Sequence, residues 1–279
     1  MNKLIIESGA SKSDWLFFNN QEELLLQSEG YNPCSDPIQN KGLIIPEGFN
    51  NTHDIQDIYF YGAGVNSSKI VQELTEELKQ LFPNQKRIEI YDDMIACGRA
   101  LSDGRISVIS ILGTGCNSAL FDGEKIVKTV PSLGYLFNES GSGFSIGAEV
   151  IKSFFYGYMP ESDREKFIKA YGDDLGQVLG LIYQSDKPNS TISKFAEFLI
   201  DTEPEYKDYI LEKIFSSFIE EKVKRIQRDN NFKLNFVGSI AYHYQDVLSM
   251  VCRMHGYEVD KILKSPITEL KNYHLKHAE

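Results

Sequence analysis

Three stretches of the chain stand out for their chemical potential: one pair of carboxylates and two polar, glycine-bearing turns. The first is Asp92–Asp93, two carboxylates that close the apolar run Ile88-Glu-Ile-Tyr91 and precede small and apolar residues up to Leu101. An open α/β sheet presents reacting side chains at such a place, beyond the carboxyl end of a strand. A simpler role competes: one of the pair caps the next helix by accepting its unpaired N–H groups. The second stretch is Ser8-Gly-Ala-Ser-Lys12, between Leu4-Ile-Ile6 and Trp15-Leu-Phe-Phe18. Gly9 permits φ > 0 and Ala10 is small, so backbone N–H groups can close on an anion, with hydroxyls from Ser8, Ser11 and Ser13 and a charge from Lys12. It is not a Walker loop, since G-x-x-x-x-G-K-[ST] is absent, and an ordinary polar hairpin turn would look the same. The third is Gly113-Thr-Gly-Cys-Asn117, between the apolar run Ser107–Leu112 and the return run Ser118–Phe121.

Other polar positions are more ambiguous. Asn32, in Gly30-Tyr-Asn-Pro33, suits either a polar ligand or an Asx turn. Gly62-Ala-Gly64 ends an apolar run in a close-approach turn. Glu139 lies in the glycine-rich stretch 134–147, which lacks the G-x-G-x-x-G dinucleotide pattern, and by itself reads as a solvated loop residue. Gly238-Ser239 marks a strand–helix junction that suits a nucleotide base or ribose, or only a tight connection. His274 and His277 stand three apart with no third ligand in view, the pattern of exposed C-terminal histidines.

These positions need elements to hold them. Strands are expected at 4–6, 15–18, 58–61, 88–91, 107–112, 118–121, 125–130, 234–237 and 259–263, where apolar runs meet Gly, Pro or Asp turn signals. Helices are expected at 67–81, where Ile70, Val71, Leu74, Leu78 and Leu81 share a face before Pro83, and at 148–155, 206–228, 242–255 and 267–278. Residues 161–203 read as polar and helical, broken by Gly172, Gly176 and Pro188. In helix 206–228, Leu211, Ile214, Phe215, Phe218, Ile219, Val223 and Ile226 form a core stripe. Residues 4–18 and 107–121 repeat one pattern of strand, Gly/hydroxyl turn and strand, which suggests an internal duplication.

Bulk properties narrow the partners. The chain has 279 residues, 42% hydrophobic and 25% charged, enough for one large or two ordinary domains. A net charge of −11 disfavours nucleic acid and anionic membrane as partners, but leaves room for a nucleotide bound locally by backbone. Four scattered cysteines without a CxxC read as free thiols of a reducing compartment. With no signal-peptide pattern and no apolar run near roughly 20 residues, the expected location is cytoplasmic.

In chain order, Leu4–Trp15, Gly30–Pro33, Asp93–Leu101, Leu112–Ser118 and Phe236–Ala241 resemble the motifs of the BadF/BadG/BcrA/BcrD-type ATPase family, most closely its N-acetylglucosamine kinase branch. The resemblance spans nearly the whole chain. It implies the α/β fold of the sugar kinase, heat-shock chaperone and actin superfamily. That fold has two ribonuclease-H-like domains, mixed five-stranded sheets flanked by helices, with a nucleotide cleft between them. The expected bounds are 1–106 and 107–279, with the last helix packing back on the first domain. ATP and Mg²⁺ are the implied cofactors and a small-molecule sugar the partner, with a homodimer the commonest assembly.

The resemblance also implies roles at matching positions. Ser8, Gly9, Ala10, Ser11 and Lys12 correspond to the first phosphate loop, Gly113, Thr114 and Gly115 to the second, and Gly238 and Ser239 to the adenosine segment. Asp93 corresponds to the general base, and Asn32, Gly64, Asn117 and Glu139 to sugar contacts. Two departures stand out. Glu7 occupies the place of an Asp that organises Mg²⁺ through water, and Asn138-Glu-Ser140 replaces Gly-Asp-Glu. Each moves a carboxylate by about one methylene, and a displacement of about 1 Å near a transferring group can cost on the order of 100-fold in rate. Amino-sugar kinase is the leading expectation. A weakened sugar or nucleotide sensor comes second, and an activator ATPase for an acyl-CoA dehydratase or reductase third.

Overall fold

A computed structural model describes residues 2–34, 42–50, 52–227 and 231–277. They form two compact units. One comprises residues up to Arg105 with Gly123–Ile126 and the C-terminal segment from Ser265; the other comprises Ile106–Asp122 and Val127–Lys264.

In the first unit, β1 (Lys3–Ser8), β2 (Lys12–Phe18) and β3 (Glu23–Glu29) form an antiparallel meander. β4 (Asp57–Gly62) and β5 (Arg87–Asp92) run parallel to β1 on its other side, giving the order β3-β2-β1-β4-β5. β1 is apolar without alternation because both its faces are covered. Leu4 and Ile6 join Trp15, Phe17 and Phe60 under α1 (Ser68–Leu81), through Leu74 and Leu78. Ile5 joins Leu16, Phe18, Tyr59 and Tyr61 under α2 (Asp93–Leu101) and the C-terminal helix Ile267–Lys276. Ser67 caps α1 by accepting the Ile70 amide, 3.3 Å away. β3 was not anticipated. It is an edge strand whose Leu24 and Leu25 face solvent, so its apolar residues carry no inside–outside pattern.

The second unit repeats this wiring. β6 (Ser107–Leu112) pairs antiparallel with β7 (Cys116–Phe121), β8 (Ile126–Thr129) follows, and β9 (Leu234–Val237) and β10 (Val259–Leu263) run parallel on the far side of β6. The order β10-β9-β6-β7-β8 matches that of the first sheet element for element, so the duplication suspected from the turns extends to the whole sheet. Its helices are α3 (Gly143–Phe155), α4 (Glu161–Tyr171), α5 (Leu175–Tyr183), α6 (Pro188–Lys194), α7 (Pro204–Phe218), α8 (Ser239–His243) and α9 (Gln245–Met254).

Several boundaries differ from expectation. α3 opens at Gly143, not Ala148, because Ser142 caps it through the Ser145 amide at 3.1 Å. Gly147 lies inside α3, where a Cβ would run into the Ile192 carbonyl at the approach of α6. The long helix expected over 206–228 passes from α7 into a π-helical turn, Ile219–Val223, and then a last α turn, Lys224–Ile226; Arg228 lies outside the described residues. Its apolar stripe is buried throughout. The helix expected at 242–255 starts at Ser239 and is interrupted at Tyr244.

The expectation of two exposed histidines is corrected. His277 is exposed, but His274 is only 6% exposed. It stacks on Tyr59 with ring centroids 3.6 Å apart and shares a 2.7 Å hydrogen bond with the Tyr61 hydroxyl. The last helix thus buries one face on the sheet, with His274 on that face beside Ile267 and Leu270. Among the described residues no helix is long and apolar enough to cross a membrane. Cys34 is exposed; Cys97, Cys116 and Cys252 are buried; all four are free thiols.

Candidate active site

The carboxyl ends of the parallel strands in the first unit are level. Ser8 on β1 pairs with Gly62 on β4, which pairs with Asp92 on β5. At about 4.8 Å per strand this sets Asp92 about 10 Å across the sheet from the start of the first turn. The turn closes through the Gly9 amide on the Lys12 carbonyl, 2.9 Å away. Gly9 keeps a negative φ, so the left-handed conformation foreseen for it is not used. The close approach comes instead from Gly30, where a Cβ would lie 2.5 Å from the Lys12 amide nitrogen and closer still to the Gly9 carbonyl. Ser8 is buried and tied to Tyr31, accepting its amide at 3.1 Å and donating to its carbonyl at 2.8 Å. Its hydroxyl thus braces the turn against the Gly30–Pro33 segment.

Lys12 is half-exposed and donates to Asp14 at 3.0 Å. Buried Asp14 also accepts from Gln27 at 2.7 Å and from Ser265 at 3.0 Å. Asp14 was not singled out from the sequence. Its signal was a charged residue immediately before the apolar run Trp15–Phe18 of the same strand. Asn32 forms the Asx turn, its Oδ1 accepting the Cys34 amide at 2.9 Å, and that same oxygen occupies the space a Cβ on Gly64 would need. The two positions expected at the sugar are therefore neighbours.

The two aspartates divide the roles left open above. Asp92 is the cap, accepting the Met94 amide at 2.9 Å. Asp93 is the first helical residue, hydrogen-bonded to Asp92. Burial raises the Asp93 carboxyl well above the carboxylate range, the charge and hydrogen bond of Asp92 raise it further, and Glu7 adds to this. Burial also raises Asp92, against the Met94 amide, which lowers it. Glu7 is raised to about 7 by burial and then by Asp14, with Lys12 pulling the other way. Glu7, Asp92 and Asp93 lie at one end of the sheet and all three are shifted upward, so each binds a proton more readily than an exposed carboxylate.

In the second unit the turn after β6 has its carbonyls directed inward. The Gly113 carbonyl accepts the Gly143 amide at 2.7 Å, Thr114 accepts Phe144 at 3.2 Å, and Gly115 accepts Gly113 at 3.0 Å. A Cβ on Gly113 or Gly115 would meet nothing within 4 Å, so the turn presents bare backbone to open space with its repulsive oxygens occupied. Gly238 packs against the base of this turn with φ +124, and a Cβ there would collide with the Leu112 carbonyl. Ser239 opens α8 and is exposed. Asn117 sits on β7 opposite Ile111, its Oδ1 accepting the Ser118 amide at 2.9 Å. Gly113–Gly115, Asn117 and Gly238–Ser239 thus gather at one end of the second sheet.

Glu139 is not a solvated loop residue. It is 8% exposed and paired with Lys222, itself 5% exposed, at 2.7 Å. Burial alone would raise its carboxyl, but hydrogen bonds from Lys222, the Leu133 amide and Ser132 outweigh this and hold it below the usual range. Lys222 was missed because it lies in a helix read by its apolar stripe. The signal was present: Lys222 falls three residues after Ile219 and four after Phe218, on the buried side.

Two sheets of the same mixed topology, each with a glycine turn after its first strand, define a two-unit protein of the ribonuclease-H-like, actin-like fold, the one sugar kinases use. Over 99% of each chain the protein matches, at TM-score 0.88 and 32% identity, a Porphyromonas gingivalis structure provisionally assigned as an N-acetylglucosamine kinase. It belongs to the same family as that protein. A Chromobacterium violaceum structure with the same provisional assignment matches over 98% of each chain at TM-score 0.67 and 11% identity. A ROK-family glucokinase from Streptomyces griseus, in complex with glucose and AMPPNP, matches over 95% of this chain and 94% of its own at TM-score 0.56 and 8% identity. At these identities the last two share the fold alone. No family model and no curated protein matches the chain.

Proposed function

We propose that the protein transfers the γ-phosphoryl group of ATP to a hydroxyl of an amino sugar, with N-acetylglucosamine the favoured acceptor. The observation that carries this reading is the alignment of Ser8, Gly62 and Asp92 at the ends of three parallel strands, which puts Asp93 at the same end of the sheet as a glycine turn. The order of the sequence motifs supports membership of the BadF/BadG/BcrA/BcrD-type family. The provisional assignment of the Porphyromonas gingivalis relative supports the acceptor.

Asp93 accepts the proton of the attacking hydroxyl, a role typically worth about 10²–10⁴ in rate. Burial and the neighbouring Asp92 raise its affinity for a proton above that of an ordinary carboxylate, the direction a general base needs. Residues 8–12 and Gly113–Gly115 orient the phosphate chain. The inward carbonyls of the second turn remove lone pairs that would repel it. Gly238 and Ser239 receive the nucleoside, and Asn32, Gly64 and Asn117 the sugar.

Among the described residues no three His, Cys, Asp or Glu side chains converge on one point. Mg²⁺ needs only one or two carboxylates beside phosphate oxygens. Glu7, whose carboxyl is pushed up to about 7 by burial and a like charge, is a hard-oxygen donor suited to it. When bound there, the cation would neutralise charge developing on the phosphate oxygens.

The test is a coupled ADP-release screen over hexoses and N-acetylated hexosamines with Mg²⁺-ATP; release with none of them ends the kinase reading. A sensor is the second reading, favoured by Glu7, which at about 7 is half-protonated near neutrality and holds a cation less firmly than an ionised Asp. Calorimetric binding of sugar or nucleotide without turnover would select it. The activator reading is disfavoured because Cys97, Cys116 and Cys252 are buried and only Cys34 is exposed, a poor set for a cluster shared between subunits.

A further inference from the structure

We propose that Glu139 and Lys222 form a positioning pair that fixes the Gly113–Gly115 turn through the segment 131–144, and that Glu139 takes no direct part in holding a sugar. Glu139 has no acceptor capacity to spare. Oε1 accepts the Leu133 amide at 2.8 Å and Lys222 Nζ at 2.7 Å; Oε2 accepts Ser132 Oγ at 2.8 Å and the Gly134 amide at 3.1 Å. A carboxylate offers about four lone-pair sites, and all are filled from within the chain. Lys222 also donates to the Pro131 carbonyl at 3.0 Å, so the pair grips the entry of the segment twice.

Besides the Tyr135–Phe144 ring contact, with centroids 5.5 Å apart, apolar packing does little to hold the stretch 133–137 there. Leu133, Leu136 and Phe137 are 62%, 80% and 70% exposed, so burial does not order this stretch. Its exit runs directly onto the glycine turn. The Ser140 carbonyl accepts Cys116 Sγ at 3.0 Å, and the amides of Gly143 and Phe144 donate to the Gly113 and Thr114 carbonyls. The ion pair and the turn are thus the two ends of one hydrogen-bonded path. A change at Lys222 reaches the turn without touching it. The role assigned to the turn, orienting phosphate, rests on the phosphotransfer reading; the mechanical link does not.

The test uses the full chain with Lys222→Met and Glu139→Gln, hydrogen exchange of segments 131–137 and 113–116, and KM for ATP and N-acetylglucosamine. Each variant removes a charge-assisted hydrogen bond, so exchange should rise about tenfold in both segments. KM for ATP should rise about tenfold in both variants, KM for N-acetylglucosamine should stay within about twofold, and the double variant should be no worse than Lys222→Met. Faster exchange confined to 131–137 overturns the link to the turn. A raised sugar KM in Glu139→Gln but not in Lys222→Met makes Glu139 a sugar ligand and overturns the proposal. Removing one partner of a buried pair is severe. If both variants unfold, Ser132→Ala, which deletes one donor and no charge, should raise exchange in both segments by a smaller factor; unchanged exchange at 113–116 overturns the link. If the wild type phosphorylates no sugar, the phosphotransfer reading falls, and exchange still decides the positioning.

Discussion

The two sheets share one wiring and end in opposite chemistry. In the first, the outer parallel strand β5 delivers Asp92 and Asp93 level with the glycine turn. In the second, the corresponding strand β10 ends at Leu263, opposite Val237, and the next residue is exposed Lys264. The end of the first sheet carries carboxyls at Glu7, Asp14, Asp92 and Asp93; the second turn has its carbonyls turned inward and open space before Gly113 and Gly115. A duplicated frame fixes where strands end, and substitutions at those ends then specialise each copy. One end gathers carboxyls shifted upward and the other presents bare glycine backbone. Both turns rely on a glycine packed beneath them, Gly30 in the first unit and Gly238 in the second.

The comparison can be broken most directly at Asp93. Asp93→Asn should lower sugar-dependent ADP release by about 10²–10⁴, whereas Lys264→Ala at the equivalent end should change KM for ATP by no more than about fivefold. Equal effects at the two ends would remove the division of labour. Next come the buttressing glycines. Gly30→Ala and Gly238→Ala should each cost about 1–3 kcal/mol by overpacking, and Gly238 the more, since its φ of +124 is also closed to alanine. Chemical denaturation with linear extrapolation reads this, and a neutral Gly238→Ala would refute the close approach at the second turn.

A subtler effect concerns the acid pair. Asp92→Asn removes a like charge from Asp93, so the acid limb of kcat/KM for sugar should move to lower pH, toward the ordinary carboxylate range. An unmoved limb would mean that Asp92 only caps α2. The smallest effect is on stability. Burial holds His274 neutral, with a folded value of about 3 against 6.5. Its contribution is therefore present above 6.5 and lost as pH falls toward about 3. Glu7 acts oppositely: raised from 4.5 to about 7, its contribution is present below 4.5 and lost as pH rises through about 7. Between pH 6.5 and 5 the melting temperature of His274→Gln should fall less steeply than that of wild type, and parallel slopes would argue against a buried neutral His274.

Much of the frame was legible from residue order. The runs at Leu4–Ile6, Ser107–Leu112 and Leu234–Val237 were placed within a few residues, because strands buried on both faces need largely apolar sequence. β3 was not seen, because an edge strand with exposed leucines follows no face pattern. The start of α3 at Gly143 was hidden because its glycines serve contact with α6, which pattern reading takes for a loop. In the candidate site, the turns and the aspartates stood out because Gly, Ser and Asp are rare in such apolar surroundings. Lys222 and His274 did not, because Lys222 lies in a helix read only by its apolar stripe and His274 in a helix whose two histidines read as exposed.

The sequence by itself determined the strands other than β3, the two glycine turns and the acidic pair, since these follow from local pattern and backbone sterics. Tertiary structure alone decided that Asp92 caps while Asp93 is left beside Glu7, that the carbonyls of the second turn point inward, and that Glu139 is spent on Lys222. Each of those depends on which distant groups meet, and a partner 83 residues away leaves no mark on local periodicity.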